Sequence, residues 1–153
     1  MIATDLRLDD CTLNITEEIR VEAPIGITFE ALLEQLGPAN ETPDGRPIPL
    51  TIEPWPGGRW YRDLGDNNGH FWANVQAIKR PTLLEFAGPL MMSSPVANNV
   101  QYRLREEGGV TVIQFHHKGF GLILDEHRQG VRAGWSYMIG QARLRAERAA
   151  GKK

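Results

Sequence analysis

The chain has 153 residues, of which 41% are hydrophobic and 24% charged, which is typical of one globular domain. A formal net charge of −2 argues against a nucleic-acid surface. Cys11 is the single cysteine, which excludes an internal disulfide and a thiolate metal cluster. No apolar run approaches the roughly 18 residues of a membrane span. The start, MIATDLRLDDC, lacks the features of a secretion signal, so we expect a cytoplasmic protein.

The first part of the chain divides into an arm, a strand and a helix. Residues 1–14 carry only scattered apolar side chains, which predicts an N-terminal arm or edge strand before a single domain at 15–150. From Ile15 to Val21 apolar and polar residues alternate, as in a half-buried strand. A helical stripe then follows Ala23-Pro24 and ends before Gly37-Pro38.

Residues 37–49, GPANETPDGRPIP, contain four prolines and two glycines, which excludes regular structure. A loop of this length is often a lid or the mouth of a site, although a plain connector is equally compatible with the composition.

The next seventy residues show short alternating segments separated by tight-turn sequences such as GDNNG at 65–69. This pattern predicts an antiparallel meander. Its six strands are expected at 50–55, 59–64, 71–78, 83–86, 100–105 and 110–118, with an irregular stretch at 88–98.

The last part of the chain predicts one long helix with an apolar stripe. The stripe consists of Val131, Trp135, Met138, Ile139 and Ala142. Three glycines interrupt the helix, namely Gly130, Gly134 and Gly140. Each costs roughly 1 kcal/mol relative to alanine. Either the helix lies close against a neighbour, or it leaves room for something else, or the glycines are merely tolerated.

A sheet with one apolar face needs a cover, and only the final helix is long enough to provide it. A strongly curved sheet around one helix rarely closes completely, so we expect a hollow between them.

Four phrases in this order resemble one family. They are EEIRVEAPIGITFEAL at 17–32, EPWPGGRWY at 53–61, KRPTLLEF at 79–86, and HHKGF with GVRAGW within 116–135. The chain thereby resembles the START-like, birch-pollen-allergen (SRPBCC) superfamily, in the branch of the activator of heat-shock-protein-90 ATPase.

The resemblance implies an α+β protein with a helix-grip fold. A seven-stranded curved antiparallel sheet would wrap around the long C-terminal helix and an elongated pocket, with a shorter helix after the first strand. Members usually carry one or two short helices between the first helix and the second strand, where this chain has the proline-rich loop.

Seven residues are candidates for the wall of a ligand cavity. They are Trp60, Arg62, Tyr102, Phe115, His117, Trp135 and Met138. An aromatic wall with a few polar groups suits a small, partly apolar molecule bearing an oxygen or a negative charge. Arg62 must pair internally, reach solvent or meet an anionic ligand. His117 would be either a hydrogen-bonded wall residue or a group that orients ligands or transfers protons.

Motifs for chemistry are otherwise missing from the sequence. His116 and His117 are adjacent on a strand and point to opposite faces, so they cannot share one metal ion. No GxSxG nucleophile motif and no phosphate-binding glycine loop is present. We therefore assign no catalytic residue, no metal and no cofactor.

Three functions remain open. The first is binding of a small hydrophobic or amphipathic ligand in the cavity without turnover. The second is a protein-interaction module, of the chaperone-activator type or another, with an apolar patch near Leu90, Met91, Met92 and Val96. The third is a cyclase- or hydrolase-like enzyme that would use His117, Tyr102 or Arg62.

Overall fold

The computed structural model describes residues 7–152. A short 3₁₀ helix at Leu8–Cys11 precedes the first strand. The remaining elements, in chain order, are β1 (Thr12–Val21), α1 (Ile25–Leu36), β2 (Thr51–Ile52), β3 (Arg59–Gly65), β4 (Asn68–Lys79), β5 (Leu83–Gly88), β6 (Val96–Glu107), β7 (Val110–Gly121) and α2 (Asp125–Ala149).

The strands form one antiparallel sheet in the order β1-β7-β6-β5-β4-β3-β2. From β2 to β7, strands that follow one another in the chain are neighbours in the sheet, because each connection is short enough to return the chain beside the strand it has just left. Strand β1 closes the other side by pairing with β7, in a register that places Ile15 opposite His117 and Ile19 opposite Ile113. The predicted meander and the single strand before it are confirmed.

The conformation of the β3–β4 turn explains why the sequence GDNNG at 65–69 predicts a tight turn. Gly65, Asp66 and Asn67 have positive φ angles of 85°, 53° and 60°. Glycine, aspartate and asparagine tolerate the left-handed region better than other residues. The Asp63 carboxylate also accepts a hydrogen bond from the Gly65 N–H.

Two strands differ from their predicted bounds. Strand β2 keeps only Thr51–Ile52 of the expected 50–55, because Pro54 and Pro56 lack the N–H that a strand ladder requires. Strand β6 begins at Val96, inside the stretch expected to be irregular. Its Ala-Asn-Asn start has low strand propensity, but pairing with β7 fixes it as a strand.

The N-terminal part of the chain is partly outside the described residues, since the predicted arm includes residues 1–6. Within the described part, β1 begins at Thr12 rather than at Ile15. The guanidinium of Arg128 on α2 donates to the backbone oxygens of Asp9, Asp10 and Thr12, which joins this end of the chain to the long helix.

Helix α2 lies against α1, β1 and the concave face of the sheet. Its predicted stripe of Val131, Trp135, Met138, Ile139 and Ala142 is buried, together with Ala146. Asp125 and Glu126 lie in the first turn, where carboxylates interact favourably with the helix dipole. The α+β helix-grip architecture is therefore confirmed: a seven-stranded antiparallel sheet holds a long C-terminal helix, and the shorter helix follows the first strand.

The proline-rich loop contains no helix but is held by its own hydrogen bonds. Asn40 is buried, and its Nδ2 donates to the Ile48 carbonyl across the loop. The Tyr137 hydroxyl on α2 donates to the Glu41 carboxylate at 2.7 Å. The loop is thus attached to the long helix.

Candidate functional site

His117 lies at the centre of the interface between the sheet and α2, and both of its ring nitrogens are hydrogen-bonded. Its Nδ1 accepts from the Trp135 indole N–H at 2.9 Å, and its Nε2 is 2.7 Å from the Asn98 amide oxygen. An indole nitrogen only donates and an amide oxygen only accepts, so the imidazole is the neutral Nε2–H tautomer. Burial lowers the pKa of His117 to about 4. At neutral pH this imidazole is therefore uncharged, and neither of its nitrogens is free to bind a ligand.

Asn98 is the residue of this site that sequence reasoning missed, because it falls in the stretch expected to be irregular. It is buried on β6, and its Nδ2 also contacts the Pro89 carbonyl at 3.4 Å. Gly119, opposite Asn98 in the register, makes room for the amide, since a Cβ there would lie 2.7 Å from its Oδ1. An asparagine that faces a glycine two pairs away from a buried histidine, on the same face of the sheet, is the signal that could have indicated the contact.

An aromatic row continues from this histidine across the sheet. The Trp135 and Phe115 ring centroids are 5.1 Å apart, and those of Phe115 and Tyr102 are 5.0 Å apart. The Tyr102 hydroxyl is buried without a hydrogen-bond partner among the described residues. Burial, and then the negative charge of Glu17, raises the pKa of Tyr102 well above its ordinary value. The tyrosine is therefore neutral and contributes mainly packing.

Trp60 belongs to a separate aromatic cluster. Its ring stacks on Phe86 with centroids 4.5 Å apart and meets Trp72 edge-on at 5.1 Å. Its indole N–H donates to the Leu36 carbonyl at the end of α1. Trp60 thus joins the sheet to α1 in a fully packed region, apart from the His117–Trp135 pair.

Arg62 lies on the β3–β4 hairpin directly opposite His70 in the register. It is half-buried and lines a hollow of about 410 Å³ between the hairpin and the segment that joins β5 to β6. His117 and Tyr102 do not line this hollow, so the structure does not bring the three predicted polar groups to one point.

A second space lies along the N-terminal half of α2. This cavity has a volume of about 230 Å³. Its lining comes from about three and a half turns of helix and one residue of the β5–β6 segment: Met91, Glu126, His127, Gly130, Val131, Gly134, Trp135 and Met138. Of the seven sequence candidates, Trp135 and Met138 line this cavity.

The helix glycines explain how this cavity stays open. Gly130 and Gly134 lie on its wall, and a Cβ built on either residue meets no atom within 4 Å. The two positions therefore leave space rather than permit close packing. Gly140 also has open space around its Cβ but does not belong to this wall.

The chemistry of the cavity wall is mainly apolar, with two polar side chains at one end. Nδ1 of His127 is buried and has no hydrogen-bond partner within residues 7–152. Glu126 beside it adds a carboxylate. The walls offer contact area for a hydrophobic body, and His127 offers one ring nitrogen to a polar group.

Two other properties bear on the class of site. Across residues 7–152 no three histidine, cysteine or acidic side chains are grouped so that they could hold a metal ion. Neither helix in that part of the chain is apolar enough over a sufficient length to cross a membrane.

The segment predicted to expose an apolar patch is mostly buried. Leu90 and Met92 lie in the core, and Met91 is the exposed residue of the three. Large exposed apolar side chains are spread over the described residues, and include Phe120 and Leu122 just before α2.

The strand order, the curved sheet and the gripped C-terminal helix define a START-like, helix-grip protein. Solved structures of low identity share this fold. The chain matches the di-domain aromatase/cyclase StfQ of the steffimycin biosynthetic pathway with a TM-score of 0.68 and 12% identity, over 94% of this chain and 53% of that one. It therefore spans about half the length of StfQ.

Two further structures are matched over nearly their whole length. Protein MLL2253 from Mesorhizobium loti has a TM-score of 0.68 and 15% identity, over 89% of this chain and 98% of that one. Ara h 8.0201 has a TM-score of 0.64 and 15% identity, over 88% and 97% of the two chains. At these identities the likeness concerns the fold.

The family follows from the sequence match. Residues 27–146 fit the model described as "Activator of Hsp90 ATPase homolog 1-like protein", which covers most of the chain. The protein belongs to this family within the SRPBCC superfamily, and the predicted resemblance is confirmed. No curated protein matches the chain.

Proposed function

We propose that this protein binds a small, largely apolar molecule in the cavity between α2 and the β5–β6 segment, and that it does so without turnover. The observation that carries the proposal is the cavity of about 230 Å³, whose wall is built from Trp135, Met138 and Val131 and kept open by two helix glycines. Apolar, concave spaces with few polar groups are the usual sites for small ligands.

The rigidity of the main wall supports binding. Trp135 is fixed by its hydrogen bond to His117 and by its contact with Phe115. Trp135 is buried beneath this cavity and already ordered, so a ligand lying over it would not have to order it first, which reduces the entropic cost of association. Met138 and Met91 are unbranched and can adapt to the shape of the ligand.

Binding without chemistry is favoured by the state of the polar groups. His117 is neutral and uses both nitrogens within the protein. Tyr102 is buried beneath the helix, and Arg62 lines another space. An enzyme needs an acid, a base or a nucleophile within reach of one point, and these three side chains do not meet.

A titration with a neutral bicyclic probe tests the proposal. The naphthalene ring of 4-(2-naphthyl)butanol has a size suited to this cavity, and we expect saturable binding by isothermal titration calorimetry and a raised melting temperature. The substitution Gly134→Leu places a side chain in the cavity and should abolish binding. Gly140→Leu, on the same helix but away from the wall, should leave it unchanged.

Melting curves of both variants separate loss of the cavity from loss of the fold. Binding that survives in a folded Gly134→Leu variant, or no saturable binding to the unmodified chain across a library of apolar probes, would contradict the proposed function.

A further inference from the structure

The cavity beside α2 and the hollow beside the β3–β4 hairpin meet at one side chain. Met91 lines both spaces, the first of about 230 Å³ and the second of about 410 Å³. Its side chain is flexible, and the residue is 41% exposed, so the boundary between the two spaces is not part of the core. A single molecule that displaces this methionine would extend from Trp135 to the hairpin.

The two ends of this combined space differ in charge. The hollow beside the hairpin is lined by Arg62 and His70, which lie opposite each other on β3 and β4, and no carboxylate of residues 7–152 lines it. Within residues 7–152 Arg62 forms no ion pair. The cavity beside α2 carries Glu126 instead.

The same two basic residues also line the adjoining hollow at the tip of the hairpin, where Asp63 and Asp66 are found. Arg62 thus borders two hollows. The one that also contains Met91 has no carboxylate of residues 7–152 in its wall. An unpaired guanidinium at the rim of an apolar space suits a carboxylate or a phosphate group, to which it can donate two parallel hydrogen bonds.

We infer that the ligand is an amphipathic oxyanion, with its apolar body against Trp135 and Met138 and its carboxylate or phosphate group beside Arg62. This inference rests on the function proposed above and names the chemical class of its ligand. Glu126 fixes the orientation, because it would repel an acidic group placed at the opposite end. His70 supplies a further hydrogen-bonding group beside Arg62.

Three ligands with one apolar body test the inference: 4-(2-naphthyl)butanol, 4-(2-naphthyl)butanoate and the phosphate monoester of the alcohol. In calorimetric titrations at pH 7.5 we expect at least one of the two anions to bind about tenfold more tightly than the alcohol, which corresponds to about 1.4 kcal/mol. The tighter of the two anions identifies the preferred head group.

Arg62→Gln should bring the affinity of the anions to that of the alcohol, so that the roughly tenfold preference for an anion is lost. Arg103→Gln is the matched control, because Arg103 lies on β6 and lines a different hollow, away from both spaces. It should change none of the three affinities.

Equal affinities of alcohol and anions for the unmodified protein would overturn the inference, as would an Arg62→Gln variant that weakens all three ligands equally. The proposed function survives these results as long as the alcohol binds and Gly134→Leu abolishes that binding. If none of the three binds, the proposed function itself fails.

Discussion

At the scale of single residues, the neutrality of His117 has a consequence for stability. The imidazole is buried, its two nitrogens are committed to Trp135 and Asn98, and its pKa is lowered to about 4. An unfolded histidine has a pKa near 6.5. Between these values the unfolded chain binds a proton that the folded protein does not accept, so acidification favours unfolding.

The first prediction is that the free energy of unfolding decreases by about 2 kcal/mol between pH 7 and pH 5 on account of His117. The contribution is absent above pH 7, where both states are neutral, and grows as the pH falls toward 4. Urea unfolding at the two pH values measures it.

His117→Gln provides the control, because glutamine keeps hydrogen-bonding groups but does not titrate. The decrease from pH 7 to pH 5 should be smaller in this variant by the same amount. Equal decreases in both proteins would show that His117 is not the group responsible.

A second prediction concerns the room that Gly119 gives to Asn98. A methyl group at position 119 would lie 2.7 Å from the Asn98 amide oxygen, which is too close for an unshifted contact. Gly119→Ala should therefore displace the amide from His117 and cost about 1–3 kcal/mol in the free energy of unfolding. Gly26→Ala, where a Cβ meets nothing within 4 Å, should not destabilise the protein. No loss of stability in Gly119→Ala would contradict the assigned contact.

At the scale of elements, the interior glycines of helix α2 lower the stability of the helix and leave open space beside it. Gly134 and Gly140 lie in its interior, and neither has an atom within 4 Å of the position of a Cβ. Alanine at each position would restrict the unfolded chain and favour the helix without a clash.

The third prediction is that Gly134→Ala and Gly140→Ala each raise the free energy of unfolding by about 0.5–1 kcal/mol. Chemical denaturation of both variants checks this. Gly65→Ala is the opposite case, since its φ of 85° strains an alanine, and it should lower stability. A destabilised Gly134→Ala or Gly140→Ala would mean that the helix needs a glycine there for close packing.

The proline-rich loop is the other element whose order depends on particular side chains. Asn40 is buried and joins the two ends of the loop through its bond to the Ile48 carbonyl. The fourth prediction is that Asn40→Ala costs about 1 kcal/mol and accelerates proteolysis within residues 42–47. Asn14→Ala, at an exposed site on β1, should change neither. Unchanged proteolysis in Asn40→Ala would indicate that the backbone alone orders the loop.

At the scale of the whole molecule, most strands and helices could be predicted from the sequence because their apolar residues recur with a fixed period. The alternation around Ile15–Val21, the stripe on α2 and the turn residues of GDNNG each depend on local geometry that the sequence records directly. The start of β6 could not be predicted from the sequence, because Ala97, Asn98 and Asn99 become a strand only through pairing with β7.

The site was less predictable than the fold, because alternation tells which face a side chain occupies but not which neighbour it meets. Phe115, His117 and Trp135 lie between sheet and helix, but their role as ligand-binding residues stays a prediction. Trp60 is buried as well, but its indole N–H donates to the Leu36 carbonyl of α1, so it lies apart from these three residues. The contribution of His127 could not be foreseen, since it depends on how the first turns of α2 lie beside Met91.

The location of the ligand is tested most directly by the indole resonances of ¹⁵N-labelled protein during a titration with 4-(2-naphthyl)butanol. Trp135 lines the cavity, whereas Trp60 is buried in another cluster and serves as an internal control. We predict a saturable shift of the Trp135 Nε1–H signal and none for Trp60. A probe that binds while the Trp135 signal stays unchanged would contradict the placement of the ligand beside α2.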